Sequence, residues 1–399
     1  MTATRTIVVA GAGIGGLTAA LALAANGFRV IVLEKAERLA EAGAGVQLSP
    51  NASRVLVDLG LADQLAPLAL APDAVTVMSA RSGEALVRLP LGAQAAERAG
   101  APYWVIHRGD LQGTLVAHVR ANPAIELRLG CVVESFADQA HGTTVVYRHR
   151  GERGEMQAQA LIGADGIWSA VRRQLFPQLQ PRFSGLIAWR GTVDVSALPP
   201  GFALGGVQLW MGPQAHLVVY PISGGRLINL VAIVPGDWQR EGWSAPGEPR
   251  ELRDRFAAAG WAAPARLLID TVESWKTWAL LAMPDGGAWT SGATALLGDS
   301  AHGMLPFAAQ GAGMAIEDAA VLARCLGDAG NDMLAMPEAL QRYANARRNR
   351  VARVQRLARQ NGRIYHLTGP LALARDVAMR ALGGERLLAR QAWIYDWKP

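Results

Sequence analysis

The sequence predicts an α/β fold: a parallel sheet assembled from separated stretches of the chain, an inserted antiparallel sheet, and a helical C-terminus. Three observations predict it. The stretch RTIVVAGAGIGGLTAALALAANGFRVIVLEK, Arg5 to Lys35, reads as strand, glycine turn, helix and strand. Two more apolar runs end in glycine–acid turns, ALIGADG from Ala160 and ALLGD from Ala295. Between them, from about Ser184 to Met283, short alternating runs replace the α/β pattern.

The first stretch is uncharged from Ile7 to Ala25, so it must be weighed as a membrane anchor or an export signal. A spanning helix needs about 20 apolar residues, but Gly11, Gly13, Gly15 and Gly16 interrupt this one, at roughly 1 kcal/mol per glycine in a helix. Arg5 is the one charge before the run, too little for the basic start of an export signal. Strand and turn explain more. Thr6 to Ala10 (TIVVA) is β-branched and suits a strand buried on both faces. Gly11-x-Gly13-x-x-Gly16 then gives a tight turn, a close approach to a pyrophosphate, and a helix packed hard on its strand. The helix Leu17 to Ala25 turns its first N–H groups toward that phosphate. Phe28 to Leu33 is a second buried strand, and Glu34 closes it where an acid is expected to bind a ribose hydroxyl, about 20 residues past the glycines. The unit is a dinucleotide-binding, Rossmann-like one.

Composition fits this picture. With 51% hydrophobic and 18% charged residues the chain belongs among well-buried globular proteins, and 399 residues suffice for two or three domain-sized units. The net charge of +6 favours anionic small molecules; no aromatic-interleaved basic patch points to nucleic acid. Cys131 and Cys325 stand alone, so neither a metal site nor a disulfide framework is expected, and the setting is cytoplasmic.

The third segment, Gly298 to Asp318, reads GDSAHGMLPFAAQGAGMAIED. With the N-terminal GxGxxG and the middle Gly163-Ala164-Asp165-Gly166, it resembles the triple fingerprint of the single-component FAD-dependent aromatic hydroxylases, typified by para-hydroxybenzoate hydroxylase. The late motif GDxAHxxxPxxxQG followed by ED matches in full, and the resemblance covers nearly the whole chain. Gly43 to Asn51 (GAGVQLSPN), His107 to Leu111 (HRGDL) and His216 to Pro221 (HLVVYP) are similar to the branch of salicylate and 3-hydroxybenzoate hydroxylases and 6-hydroxynicotinate monooxygenase.

The resemblance implies a glutathione-reductase-like FAD domain formed by residues 1–75, 102–178 and 283–340, a substrate sheet formed by 76–101 and 179–282, and a helical segment over 341–399. FAD is the implied cofactor and NADH or NADPH the transient reductant. The implied reaction is hydroxylation of a small aromatic or heteroaromatic ring with O2, through a flavin C4a-hydroperoxide. Alternatives are a purine-like or polyketide ring, or a flavin-binding protein without turnover. The glycines Gly11, Gly13, Gly15 and Gly16 would cradle the pyrophosphate; Glu34, with Lys35 beside it, would hold the adenosine ribose. Gln47 and Arg108 would contact FAD, Val133 would offer its backbone to adenine, and Asp165 would serve both FAD and the nicotinamide. Asp299 would bind the ribityl or pyrophosphate region. Gly311, Ala312 and Gly313 would place N–H groups near the isoalloxazine, and Pro306 would shape the pocket. A monomer or homodimer is expected, with no nucleic-acid partner and no membrane span.

In the substrate half, seven of the twelve tryptophans are expected to sit mainly in the core beneath a flat, aromatic-lined cavity. His216 and Tyr220, four apart, share a strand face. A histidine there is ordinarily a satisfied core residue. The resemblance instead places this pair at the substrate, where a histidine can take a ring-hydroxyl proton near neutral pH. Arg190 would pair either with a substrate carboxylate or with a structural acid. Asp299, Ser300 and His302 lie too close on one turn for a hydrolase triad. Arg342 to Arg363, with eight arginines, reads as a solvated helix face packed on the FAD domain.

Overall fold

The computed structural model describes residues 5–39, 45–139, 142–198, 202, 205–239, 242–329 and 335–399. Its first sheet has six strands in the order Thr290–Ser291, Thr294–Leu296, Ala160–Gly163, Thr6–Ala10, Arg29–Glu34, Ile125–Leu129. The last five run parallel. Ile7, Val8 and Val9 are wholly buried, as a central strand covered on both faces requires.

The opening apolar run is therefore two elements. After Ala10 the chain turns at Gly11, whose φ of +106° is open to glycine alone among common residues. The helix Ile14–Ala25 follows, apolar nearly all round. It is buried between the sheet, the helix Arg108–Ala121 and the helix Gly311–Asp328. Among the described residues no helix is long and apolar enough to cross a membrane.

The second sheet has eight strands, ordered Ser244–Gly247, Trp275–Ala282, Arg182–Asp194, Leu227–Pro235, Ala215–Ile222, Val207–Gly212, Ala74–Ser79, Ala85–Pro90. It is antiparallel except where Val207–Gly212 pairs parallel with Ala74–Ser79. That departs from the all-antiparallel expectation. The intervening chain from 80 to 206 passes through the first sheet, and so long a connection allows a parallel return that a hairpin could not.

Alternation splits this second sheet into two faces. Trp189, Trp210, Leu217, Val219 and Leu230 point to one side, where Trp261 and Trp275 join them under the helices Pro249–Ala258 and Ala263–Asp270. Arg190, His216, Val218, Tyr220, Val231 and Ile233 point to the other side, toward the first sheet's loops. Most of the tryptophans lie in this core, as expected, while Trp243 and Trp278 line a wider cleft. Trp189 reaches the far-side core because it sits one residue out of phase with the cavity-facing rows, beside Arg190.

The C-terminal helices are Met336–Tyr365, Gly369–Ala389 and Ala392–Tyr395. The solvated-face reading of the arginine helix fails at its centre. Arg347 is 1% exposed and meets Glu317 at 2.6 Å and Asp318 at 2.7 Å, both fully buried. Arg350 grips Glu317 with two nitrogens, each at 2.7 Å, and donates to the Trp393 and Ile394 carbonyls. Arg353 lies over the Trp393 ring at 3.7 Å. Two buried carboxylates demand cations, so the arginines at i+3 spacing turn inward. Replacing one member of such a buried cluster costs about 3–5 kcal/mol. Asp318→Ala should lower the unfolding free energy by about that much in urea melts, whereas Arg363→Ala, on the exposed end, should shift it by less than about 0.5 kcal/mol.

Candidate active site

Three loops converge at the ends of the first sheet's strands. Ala164 N–H donates to Ala10 O at 2.8 Å, tying the middle loop to the glycine turn. Ser300 Oγ–H reaches the Gly163 carbonyl, and Arg172 donates to Ser300 O at 2.9 Å and Ile167 O at 2.6 Å, tying the middle loop to the late one. The result is one cavity of about 310 Å³ whose wall includes Gly13, Gly15, Ala164, Asp299, Gly311 and Ala312. A wider cleft of about 1010 Å³ adjoins it, lined by Lys35, Asp165 and Trp168 among others. Arg108, Arg190, Asp299 and Pro306 border both.

The residues present fit a dinucleotide. A Cβ at Gly16 would strike the Gly11 carbonyl, so the turn closes only with glycine and presents its backbone outward. The Glu34 carboxylate is held at the strand's end by Ala12 N–H (2.7 Å) and Ala36 N–H (2.9 Å), beside that turn. Asp165 Oδ2 accepts from Ala170 N–H at 2.7 Å and Val171 N–H at 3.2 Å, while its buried Oδ1 has no protein partner. A buried acceptor left over in this way suits a ligand donor. The helix Gly311–Asp328 starts with neither a side-chain cap nor an acid in its first turn, so its N–H groups are free for a ligand's oxygen atoms.

Beyond the glycine loops lies the second sheet. Register aligns three rows across its strands: Ala188–Ile233–His216, Arg190–Val231–Val218 and Thr192–Asn229–Tyr220. With strands about 4.8 Å apart, Arg190 stands roughly 10 Å across the sheet from the His216–Tyr220 strand. Arg190 is half-buried with a shielded Nε that has no acceptor, and its guanidinium lies 5.3 Å from the centre of the Trp278 ring. No acid pairs with it among the described residues. Burial lowers its pKa, partly offset by Tyr220.

Tyr220 packs against the strand Gly45–Leu48, where a Cβ at Gly45 would strike its ring. Gln47 on the same strand accepts from Tyr103 O–H through Oε1 at 2.7 Å. Burial pushes the Tyr220 phenol up, so it stays protonated as a donor. His216 is 1% exposed, between the rings of Phe307 and Tyr365, each 5.3 Å away. Its Nδ1 lies 2.7 Å from Nε2 of His366. Burial, and then His366, hold its pKa well below the ordinary histidine value, so it is neutral at neutral pH. That leaves Nε2 as the nitrogen for a substrate.

Most of the residues expected from sequence meet here. Gly13, Gly15, Gln47, Arg108, Arg190, His216, Tyr220, Asp299, Pro306, Gly311 and Ala312 border the inner cavity, and Lys35 and Asp165 the outer cleft. Gly11, Gly16 and Glu34 build the turn behind it. Gly313 is buried against Gln310 and Asn51, and Val133 packs against the first sheet's core, bordering neither cavity. Of the stretch from Gly43 to Asn51, Gly43 and Ala44 lie outside the described residues. Sequence reasoning missed His366, Tyr103 and the polar chain Ser49–Asn51–Gln310–Glu317. The paired acids of AIED were the available signal for that last group, once asked what neutralises them.

Residues 4–358 match the FAD binding domain family. A 3-amino-4-hydroxybenzoate 2-monooxygenase of Streptomyces platensis is 39% identical, covering 98% of this chain and 96% of its own. A 3-hydroxybenzoate 6-hydroxylase of Polaromonas naphthalenivorans is 36% identical, with coverage of 98% and 96%. A solved salicylate hydroxylase substrate complex superposes with a TM-score of 0.84 at 27% identity, covering 100% of this chain and 97% of that one. The chain belongs to the FAD binding domain family and, within it, to the single-component FAD-dependent aromatic hydroxylases. It is an FAD-dependent aromatic-ring monooxygenase, and NAD(P)H is the family's usual reductant.

Gly16→Ala tests the cradle. Overpacking costs about 1–3 kcal/mol, and where holding FAD demands the native turn this becomes roughly a 10- to 100-fold weaker FAD Kd. Flavin fluorescence quenching on titrating the apoprotein reads it directly.

Proposed function

We propose that this enzyme hydroxylates a small aromatic ring carrying both a carboxylate and a hydroxyl, the hydroxybenzoate class, with O2 and NADH or NADPH. Arg190 carries the reading. A half-buried guanidinium without a protein acid calls for an anion, and it faces the same cavity as a neutral histidine and a protonated tyrosine. A substrate carboxylate on Arg190 would point the ring's opposite edge toward His216 and Tyr220. An uncharged fused ring would leave the guanidinium uncompensated, which disfavours polyketide-like substrates. The names of the two bacterial relatives fit as well, since each substrate joins a ring hydroxyl to a carboxylate.

Bound FAD supplies the redox chemistry, taking electrons from NAD(P)H and delivering one atom of O2 to the ring. The glycine turn, Glu34, Asp165, Asp299 and the start of helix Gly311–Asp328 would hold it. Gln47 and Arg108 border the same cavity and would contact it, and Val133 would meet its adenine end through the backbone. The protein's own contribution is positioning and proton handling. Arg190 orients, Pro306 and Met304 close the wall against water, and His216 Nε2 takes the ring-hydroxyl proton, making the ring more nucleophilic. Tyr220 donates a hydrogen bond to the resulting oxygen. In this reading the six-stranded unit binds the cofactor and the eight-stranded unit the substrate. A cytoplasmic setting suits the two free, buried cysteines.

Arg190→Gln tests this. A charged hydrogen bond is worth about 1.5–3 kcal/mol, so KM for 3-hydroxybenzoate should rise roughly 10- to 100-fold, while weak turnover of the neutral 3-hydroxybenzyl alcohol stays unchanged. Equal losses on both compounds, or none, would remove the anchor.

A further inference from the structure

His216 is enclosed. Phe307 and Tyr365 cover its ring, and Tyr365 O–H is turned away to the Phe307 carbonyl at 3.2 Å. At 1% exposure the ring itself hardly meets bulk solvent. The other polar atom on the ring is His366 Nε2, at 2.7 Å, and His366 itself is partly exposed. It follows the last residue of the helix Met336–Tyr365, and its carbonyl accepts from Gln214 N–H at 3.3 Å, so backbone and side chain both pin this helix end to the substrate strand. Arg375 holds the junction by donating to the Ile364 and Tyr365 carbonyls.

We propose that His366 is a positioning residue that fixes the tautomer of His216 and passes the substrate's proton to solvent. This rests on the hydroxybenzoate reading of the cavity. In the resting pair His216 Nδ1–H donates to His366 Nε2, which leaves His216 Nε2 bare and requires the proton of His366 on Nδ1. When the ring hydroxyl gives its proton to His216 Nε2, the Nδ1 proton moves to His366 Nε2 and the Nδ1 proton of His366 leaves to water. When the product regains its hydroxyl proton the same path runs in reverse, from water through His366 to the product oxygen, and both tautomers are restored. One proton goes out and one returns in each cycle.

The groups around the pair favour a neutral resting state. From the helix junction the neighbours are Tyr365 and, behind its backbone, Arg375 paired with Asp376; from the Pro306–Ala308 turn, apolar Phe307; from the adjacent strand, apolar Ile233; on its own strand, Tyr220; and across the cavity, Arg190. No carboxylate faces the pair directly among the described residues. Burial also lowers the His366 pKa to about 4, which makes it a carrier that sheds its extra proton at neutral pH rather than a store.

The FAD-loaded enzyme tests this with 3-hydroxybenzoate as probe, using His366→Ala and His366→Asn, where Asn keeps a hydrogen bond but cannot relay. Both variants should retain FAD, keep KM within about twofold, and lose about 100-fold in kcat, the size of one acid–base contribution. Added imidazole should restore His366→Ala. Independently of any substrate, 15N NMR of histidine-labelled protein should show His216 as the Nδ1–H tautomer in the wild type and shifted toward Nε2–H in His366→Ala. Wild-type kcat in either variant, or an Nε2–H His216 in the wild type, would overturn the relay. Failure of the substrate reading looks different: the wild type would then not turn over 3-hydroxybenzoate at all, while the tautomer measurement would still report on the histidine pair.

Discussion

Two buried carboxylates organise the molecule. Glu317 and Asp318 are fully buried near the middle of helix Gly311–Asp328. An unpaired charge there would cost several kcal/mol, so donors must come to them. Asp318 takes Gly298 N–H, His302 Nε2 and Arg347; Glu317 takes Asn51, Arg347 and Arg350. Burial pushes the Asp318 carboxyl up, but His302 and Arg347 outweigh that and keep it below its ordinary value. These partners belong to separate stretches of chain, and satisfying two acids draws all of them to one place. The loop bearing Asp299 and Pro306 is thereby fixed, and so is the helix that ends at Tyr365 and His366.

With that wall fixed, the eight-stranded sheet completes the cavity by simple alternation. Odd and even positions of its strands do different work: Leu217 and Val219 build a core with the tryptophans, while His216, Val218 and Tyr220 face the cofactor loops. A one-residue slip would exchange these faces and abolish the site. Long-range pairing by the helix end and by the parallel strand Ala74–Ser79 guards against such a slip.

Local signals were the legible ones. TIVVA, the glycines and Glu34 sit within one short unit, so strand, turn, helix and acid could be read in order. The late motif likewise marked Asp299, Pro306 and Gly311. His216 and Tyr220 were legible as a pair because a strand's period places residues four apart on one face. What escaped was set by distant partners. Nothing near Arg347 shows that Glu317 and Asp318 lie against it, so its helix read as solvated. Trp189 and Trp275 fell in the core, as expected for most of the tryptophans, but composition could not say which of the seven would line the cleft. His366 lies 150 residues from His216, beyond the reach of any local pattern.

Arg190 shows how an unsatisfied group turns a fold into a substrate preference, since its charge is incomplete until an anion arrives. The direct measurement is a crystal structure of the FAD-bound enzyme with 3-hydroxybenzoate. The ring carboxylate should meet the Arg190 guanidinium within about 3 Å and the ring hydroxyl should lie within hydrogen-bonding reach of His216 Nε2. A ring bound with its carboxylate turned away from Arg190 to solvent, or outside the cavity between the glycine loops and the sheet, would contradict it.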